Sequence, residues 1–417
     1  MSRLQPPRGT HDLLADDNRR HRRITDVFRG VAEGYGFGQI ATPIFEFTEV
    51  FKRTLGETSD VVSKEMYTFD DRSGASLTLR PEYTAGIVRA LISGGLGQHL
   101  PLRFYAWGPM FRYERPQKGR LRQFHQIDAE ILGVPEVQAD TEVIALAADL
   151  LDALGLGAVT TLEINSLGDP ESRAAYRSAL VDYFSRHEQD LSQDSRQRLS
   201  RNPLRILDSK DPGDRALIEQ APPMEESLNT ASCDFFARLR DGLTNLGIAF
   251  SINRRLVRGL DYYTHTAFEF TTTALGAQGA VIAGGRYDGL VAQMGGPQVA
   301  GVGWAGGIER LALLIDQPPP PARPLAMVPV GEEAQDIALD FSHRLRRAGI
   351  AVDMGYRGNL GKRLKRANRQ NARAAIIIGG DELAAGAAVV RDLDSGAQLT
   401  VAFAQLVNYF TSGGGSA

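Results

Sequence analysis

Five cations lie between Phe111 and Arg122 in the stretch FRYERPQKGRLRQFHQIDAE: Arg112, Arg115, Lys118, Arg120 and Arg122, against the single acid Glu114. Phe124, Gln126, Asp128 and Glu130 follow at alternate positions. Side chains alternate across a strand, so these four share one face while Ile127, Ala129 and Ile131 share the other. A hairpin accounts for the stretch: a strand running to residue 114, a loop at RPQKGR, and a return from 123. Residue types alone leave two readings open. A solvated sheet face with a charged tip requires no function. Cations beside carboxylates on a rigid floor also suit a ligand carrying both signs, such as a nucleotide phosphate with an amino acid.

Other stretches are weaker alone. LVRGLDYYTHTAFEF sets Arg258, Asp261, Tyr262 and Tyr263 before a strand with Phe268 and Phe270 pointing inward, and reads equally as a structural corner or a site. GVGWAG (301–306) matches a dinucleotide fingerprint literally, but a proline-rich segment occupies the place where the acidic ribose partner belongs. There glycine instead allows close backbone approach before a helix carrying Glu309 and Arg310. No GxxxxGK[ST] phosphate loop occurs, so ATP chemistry must use another design. The run Gly284–Gly289 reads as a turn. YRGNLGKRLKRANRQNAR (356–373) holds seven basic residues and no acid, which suits a solvated helix face or phosphate contacts. Leu360, Leu364 and Ala367 give that helix an apolar seam.

The elements that position these groups follow from periodicity. A helix is predicted over 16–34, with Ile24, Val27, Phe28 and Val31 on one stripe behind Asp16 and Asp17. QIATPIFEF is a β-type run whose Pro43 suits an edge or interface strand. SLTLRPE reads as strand and TAGIVRALIS as helix; further strands lie around 103–114 and 123–132, and a helix over 138–154. From about 171 to 249 the texture becomes charged and helix-favouring. Strand-like, glycine-rich sequence resumes at 250 and ends in a helix near 307–316. DQPPPPARP is a stiff linker, and β and α segments alternate beyond it, as in a compact α/β domain. The closing SGGGSA reads as a tail.

The 417 residues exceed one ordinary domain, and 43% apolar with 23% charged residues is a globular composition. Cys233 is the single cysteine, which excludes an intrachain disulfide and a multi-cysteine metal site. Neither a signal-length apolar stretch at the start nor a run of about 18 apolar residues is present, so a reducing cytoplasm and no membrane are expected. A net charge of −3 argues against indiscriminate nucleic-acid coating while permitting local basic surfaces.

Taken together, these segments resemble the histidyl-tRNA synthetases of bacterial type, a class II aminoacyl-tRNA synthetase family, nearly end to end. RGTHDLL (8–14) resembles the family's N-terminal signature, GYGFGQIATPIFE (34–46) motif 1 at the dimer interface, and TLRPEYTAG (78–86) a histidine-binding segment. FRYERPQKGRLRQFHQIDAE resembles motif 2 and GVGWAGGIERL motif 3. LVRGLDYY and GGRYDGL resemble the two segments peculiar to histidyl enzymes, and LVRGLDYY makes the assignment specific. Tyr83 stands where glycine is common, and Ile127–Asp128–Ala129 replaces a more apolar trio.

The resemblance implies an α+β fold. A class II catalytic domain, an antiparallel sheet flanked by helices, would comprise 1–170 and 250–318, with a helical insertion at 171–249. A linker at 319–324 would lead to a C-terminal α/β anticodon-binding domain at 325–417. It also implies a homodimer that joins L-histidine to histidine tRNA through a histidyl-adenylate, with Mg²⁺ accompanying ATP and no zinc or other protein-bound metal. Arg112 and Arg258 would be catalytic, the first on the α-phosphate and the second between carboxylate and α-phosphate. Glu114, Arg120, Phe124 and Arg310 would join Arg112 at ATP, with Phe124 on adenine. Glu82, Thr84 and Gln126 would hold the α-ammonium, and Glu130 and Tyr263, beside Tyr262, the imidazole. Arg115 and Gln117 would meet the tRNA acceptor end. The rival reading is a catalytically inactive histidine-sensing regulator of histidine biosynthesis; Arg258 and the domain after 325 speak against it.

Overall fold

The computed structural model describes residues 4–55, 61–116, 119–207, 209, 211–257, 262–276 and 279–412, with only the backbone at 55, 61 and 63. Gln117, Lys118, Arg258, Asp261 and the tail beyond 412 lie outside the described residues. The chain divides into two compact units, Met1–Pro318 and Pro319–Ala417.

An eight-stranded sheet organises the first unit. Its strands are β1 (Gly38–Gln39), β2 (Leu102–Phe111), β3 (Gln123–Leu132), β4 (Thr161–Ser166), β5 (Phe250–Ile252), β6 (Thr264–Thr271), β7 (Ala280–Arg286) and β8 (Gly301–Gly307). Their spatial order is β1-β2-β3-β8-β7-β6-β4-β5, antiparallel through the six central strands and parallel at the two edge pairs. The crossing from β3 to β8 brings together segments more than 150 residues apart in sequence.

Alternation in β3 sends Ile127, Ala129 and Ile131 into the main core. There they meet Ile24 and Phe28 of α1 (Ala15–Gly34), with Ile144 and Leu150 from the helix Gln138–Ala153. Full burial of each Ile, Leu or Phe contributes about 1.5–3 kcal/mol, which fixes which face of β3 is inward. The helix α2 (Thr84–Ser93) packs on a second cluster containing Tyr83, Met110, Tyr262 and Tyr287. Between β4 and β5 the chain is helical, chiefly Pro170–Ser185, Gln193–Arg201, Pro212–Gln220 and Thr230–Asn245. Asp169, Ser192, Asp211 and Asn229 cap these four helices by accepting backbone N–H bonds. Tyr176, Leu180, Phe184, Leu199 and Ile206 form a separate core for this segment.

In this unit three expectations need correction. Pro43 falls between β1 and the short strand Phe45–Phe47, in neither strand. β2 ends at Phe111. Arg112 still donates to the Arg122 carbonyl at 3.0 Å, but the Glu114 N–H turns back onto the Arg112 carbonyl at 2.8 Å, so both side chains lie beyond the ladder. The run Gly284–Gly289 does not begin as a turn, because Gly284, Gly285 and Arg286 pair on both sides within β7. A Cβ at Gly284 would lie 2.2 Å from the Gly303 carbonyl oxygen, so the close strand contact explains that glycine better than turn geometry does. Arg286, fully buried, binds the Asp140 carboxylate, Asp288 at 3.0 Å, and the carbonyls of Val134 and Glu136.

The second unit is a five-stranded sheet of β9 (Leu325–Pro329), β10 (Val352–Met354), β11 (Ala374–Ile378), β12 (Ala387–Asp392) and β13 (Gln398–Ala402), ordered β10-β9-β11-β12-β13. β9 is parallel to both neighbours, which requires the crossover helices Glu333–Arg347 and Leu360–Arg369. On the second helix Ala367 is buried, Leu364 partly so, and Leu360 is 39% exposed, so the apolar seam is shorter than expected.

Candidate active site

From Gln126 to Glu130 the outward row of β3 is flanked by glycine or alanine at every pairing but one, Phe104. Gln126 pairs with Gly108 and Gly307, Asp128 with Ala106 and Ala305, and Glu130 with Phe104 and Gly303. Side chains directly across a ladder compete for the same space, so glycine and alanine leave a groove above a polar floor. The effect is sharpest at Gly303, where a Cβ would stand 1.6 Å from Glu130 Oε2. The resulting cleft of about 320 Å³ is large enough for a small-molecule ligand.

One part of the cleft is acidic and aromatic: Glu82, Thr84, Gln126, Tyr262 and Tyr263 line it. Glu82 sits at the start of α2, where its Oε1 accepts the Ala85 N–H at 2.8 Å. Burial raises its pKa above the ordinary carboxylate range. Thr84 donates to Glu130 Oε1 at 2.6 Å, and the Tyr287 hydroxyl donates to Glu130 Oε2. Glu130, 1% exposed, lies behind the cleft wall at Gly303 and is pushed up to about 8, chiefly by burial. Desolvation also lifts the Tyr262 and Tyr287 phenols well above their usual range.

Arg112, Glu114, Arg120, Phe124 and Arg310 line the other part. Arg112 donates from Nε to the Pro81 carbonyl at 2.8 Å, and its guanidinium carbon lies 5.2 Å from the Phe124 ring centroid. Arg120 pairs with Glu114 at 2.8 Å. Burial first, then the like charge of Arg120, depress the pKa of Arg310, so an anion between the two cations would relieve both. The N-terminal segment steadies this loop: the Gly9 carbonyl accepts the Arg122 N–H at 2.8 Å, and Gly9 has a φ of +85° against the Arg122 side chain.

Ten sequence-predicted residues therefore line one cleft, from Glu82 to Arg310. Glu130 reaches its wall through Thr84 and Gly303, Arg115 is exposed and does not line it, and Arg258 and Gln117 lie outside the described residues. Sequence reading gave no role to Tyr287, Gly303 and Glu269, and it placed Asp128 on the outward row without assigning it one. The first two stand in glycine-rich runs whose strand pairing only long-range register reveals. Among the described residues, one group of metal-ligand type occurs, His21, His125 and Glu309, with ligand atoms within 4.8 Å of one another. Glu309 already accepts the His125 backbone N–H at 2.9 and 3.0 Å and contacts its Nδ1 at 2.8 Å, so hydrogen bonding accounts for the cluster without an ion.

An antiparallel sheet that floors a cleft lined by both carboxyl groups and arginines, followed by a separate α/β unit, fits a class II aminoacyl-tRNA synthetase. Comparison narrows the class. Residues 9–311 match the family described as histidyl-tRNA synthetase, and residues 325–412 match the anticodon binding domain. The chain is 62% identical to the histidine–tRNA ligase of Rhodospirillum rubrum, covering 98% of this chain and 99% of that protein. It is 56% identical to the corresponding ligase of Gluconacetobacter diazotrophicus, over 98% and 99%. The structure of apo S. aureus histidyl-tRNA synthetase superposes with a TM-score of 0.81 at 34% identity, covering 98% and 100% of the two chains. The chain belongs to the histidyl-tRNA synthetase family.

Proposed function

We infer that this chain joins L-histidine to histidine tRNA in two steps, adenylation with ATP followed by transfer to the terminal adenosine of the tRNA. The observation that carries the reading is the cleft lined by Glu82, Gln126 and Tyr263 together with Arg112, Arg120 and Arg310. The attacking carboxylate of histidine is already ionised, so no general base is required. The difficulty is to hold two anions together and to stabilise charge growing on the phosphorus oxygens. Arg112 binds the α-phosphate, Arg120 and Arg310 the rest of the triphosphate, and Phe124 stacks on adenine. Glu82, Thr84 and Gln126 hold the α-ammonium, while Glu130, Tyr262 and Tyr263 surround the imidazole. A site of this kind rejects apolar analogues because its polar groups would remain unpaired. Glu114 and Glu269, which line the cleft, are hard oxygen donors suited to Mg²⁺ arriving with ATP, and the ion would neutralise phosphate charge.

Residues 1–170 and 250–318 form the catalytic domain in this reading, 171–249 the insertion, and 325–417 the anticodon-binding domain. Arg115 and Gln117 meet the acceptor end. A homodimer is supported by the small sheet of Phe45–Phe47, Tyr67–Asp70 and Ser76–Leu79. Its inner face holds Glu46 and Thr78, and the Thr78 hydroxyl bonds those of both Thr48 and Thr68. Phe45, Phe47 and Phe69 face outward, 45–62% exposed, an inverted polarity that a second copy would correct. Light scattering at micromolar concentration should give twice the chain mass; a monomer would refute the dimer. Among the described residues no helix is long and apolar enough to cross a membrane, in keeping with action in the cytoplasm. Histidine-dependent exchange of pyrophosphate into ATP tests the first step, and its absence in folded protein would overturn the reading in favour of a non-catalytic histidine sensor.

A further inference from the structure

Asp128 is 1% exposed, and its Oδ1 has no hydrogen-bond partner. Arg80, whose charge acts on Asp128, is engaged elsewhere. Its Nε donates to the Pro109 carbonyl and its Nη1 to the Thr42 carbonyl, both at 2.9 Å, while the guanidinium lies 4.3 Å from the Tyr83 ring centroid. An ionised carboxylate in that position would be buried with an oxygen no donor reaches, whereas a neutral acid leaves only a bare carbonyl oxygen. A neutral acid carries an O–H that needs an acceptor. Glu130 lies on the same face two residues on, within side-chain hydrogen-bonding reach, and Ala106 and Ala305 leave the space between.

We propose that Asp128 is a positioning residue: a buried carboxylic acid whose O–H donates to Glu130 and aims it, as the carboxylate that forms when histidine binds, at the imidazole of the substrate. Thr84, Tyr287 and Asp128 then supply three donors to one carboxylate, leaving it a remaining lone pair for the substrate N–H. The inference rests on the reading of Glu130 as an imidazole partner. Other charged or titratable groups facing the pair are Arg80, Glu82 and Tyr83 from the segment entering α2, and Tyr262 and Tyr287 from beyond β5 and β7. Burial, then the charge of Glu130, hold Asp128 well above the carboxylate range, while the bond from Asp128 pulls Glu130 down. Two carboxyl groups so close titrate as a unit, and ionising both is the costly step.

The test measures histidine KM and kcat by pyrophosphate exchange from pH 6.5 to 9.5 for wild type, Asp128→Asn, Asp128→Ala and Glu130→Gln, with melting temperatures as the folding control. Asparagine keeps the size and an N–H donor but cannot ionise. Asp128→Asn should therefore hold its histidine KM within about threefold of wild type at pH 7, and Asp128→Ala should raise it at least ~10-fold with a smaller change in kcat. Towards the alkaline end of that range the wild-type KM should rise relative to Asp128→Asn as the pair loses its last proton; titration of histidine itself cancels in that ratio. Asp128→Asn as damaged as Glu130→Gln at pH 7 would show that Asp128 works as an anion. Asp128→Ala within threefold of wild type throughout would show that it only fills space. Either outcome overturns the proposal while wild-type exchange stands; a wild type without histidine-dependent exchange overturns the functional reading itself.

Discussion

Arg258 and Glu130 carry the two hardest electrostatic tasks proposed for this site. Arg258 would neutralise charge between the histidine carboxylate and the α-phosphate, and Tyr262 and Tyr263, which follow it, line the cleft. Arg258→Ala should slow adenylate formation by roughly two to three orders of magnitude, the scale of losing one preorganised donor. Histidine affinity should change far less, because separate groups hold the ammonium and the ring. Single-turnover rates at saturating substrates decide it: a near-normal rate with weak histidine binding would make Arg258 a binding group instead. Glu130 predicts a pH effect on the ligand-free protein. Its folded pKa of about 8 lies above the unfolded value near ~4.3, so the native state binds the extra proton between them. Its contribution to stability is therefore largest at low pH and declines as pH rises towards 8. Glu130→Gln cannot ionise, so its melting temperature should gain on wild type by roughly 2 °C or more between pH 6 and 8.5. A constant difference across that range would mean that Glu130 is ionised throughout.

Strand β8 shows how an element can serve a site without contributing a polar side chain. Its Gly303 gives Glu130 the room to bond Thr84 and Tyr287, and a methyl there would meet Glu130 Cδ at 2.3 Å and the Ala129 carbonyl oxygen at 2.5 Å. The carbonyl belongs to the paired strand, so Glu130 must move and the β3–β8 pairing must also open slightly at this point. Gly303→Ala should fold and yet lose roughly 100-fold in kcat/KM for histidine, with the KM for ATP nearly unchanged. Equal loss towards both substrates would point instead to a distorted sheet. In β3, by contrast, a two-residue period was enough to separate the core face from the site face, because alternation is a local property. Where β2 ends was not legible, since the turn of Glu114 onto Arg112 depends on the loop that follows rather than on strand propensity.

The two units of the whole molecule invite a division of labour. The first holds the cleft, and the second exposes Lys362, Lys365 and Arg369 on one helix, suited to phosphates of a tRNA stem-loop, while Arg363 is buried and Arg366 pairs with Asp353 at 3.0 Å. A chain ending at residue 324 should therefore lose histidylation of tRNA at least ~10-fold more than pyrophosphate exchange. Equal loss in a folded, dimeric truncation would refute the separation.

The sequence by itself determined the chemistry available: the cations of 111–122, the alternating Phe124–Gln126–Asp128–Glu130 row, the helical texture of 171–249 and the β/α alternation after 325. Those features are local, set by residue type and by a period of 2 or 3.6. Tertiary structure decided the rest. Pairing β3 with β8 placed Gly303 beside Glu130, turned Tyr287 from an apparent turn residue into a partner of that carboxylate, and buried Arg286 on Asp140. It also made Asp128, on sequence one acid of the outward row, a buried acid with an unpaired oxygen. None of this is encoded in a spacing, because burial and strand register join residues that sequence separation leaves unrelated, and it is burial that sets the charge of an acid.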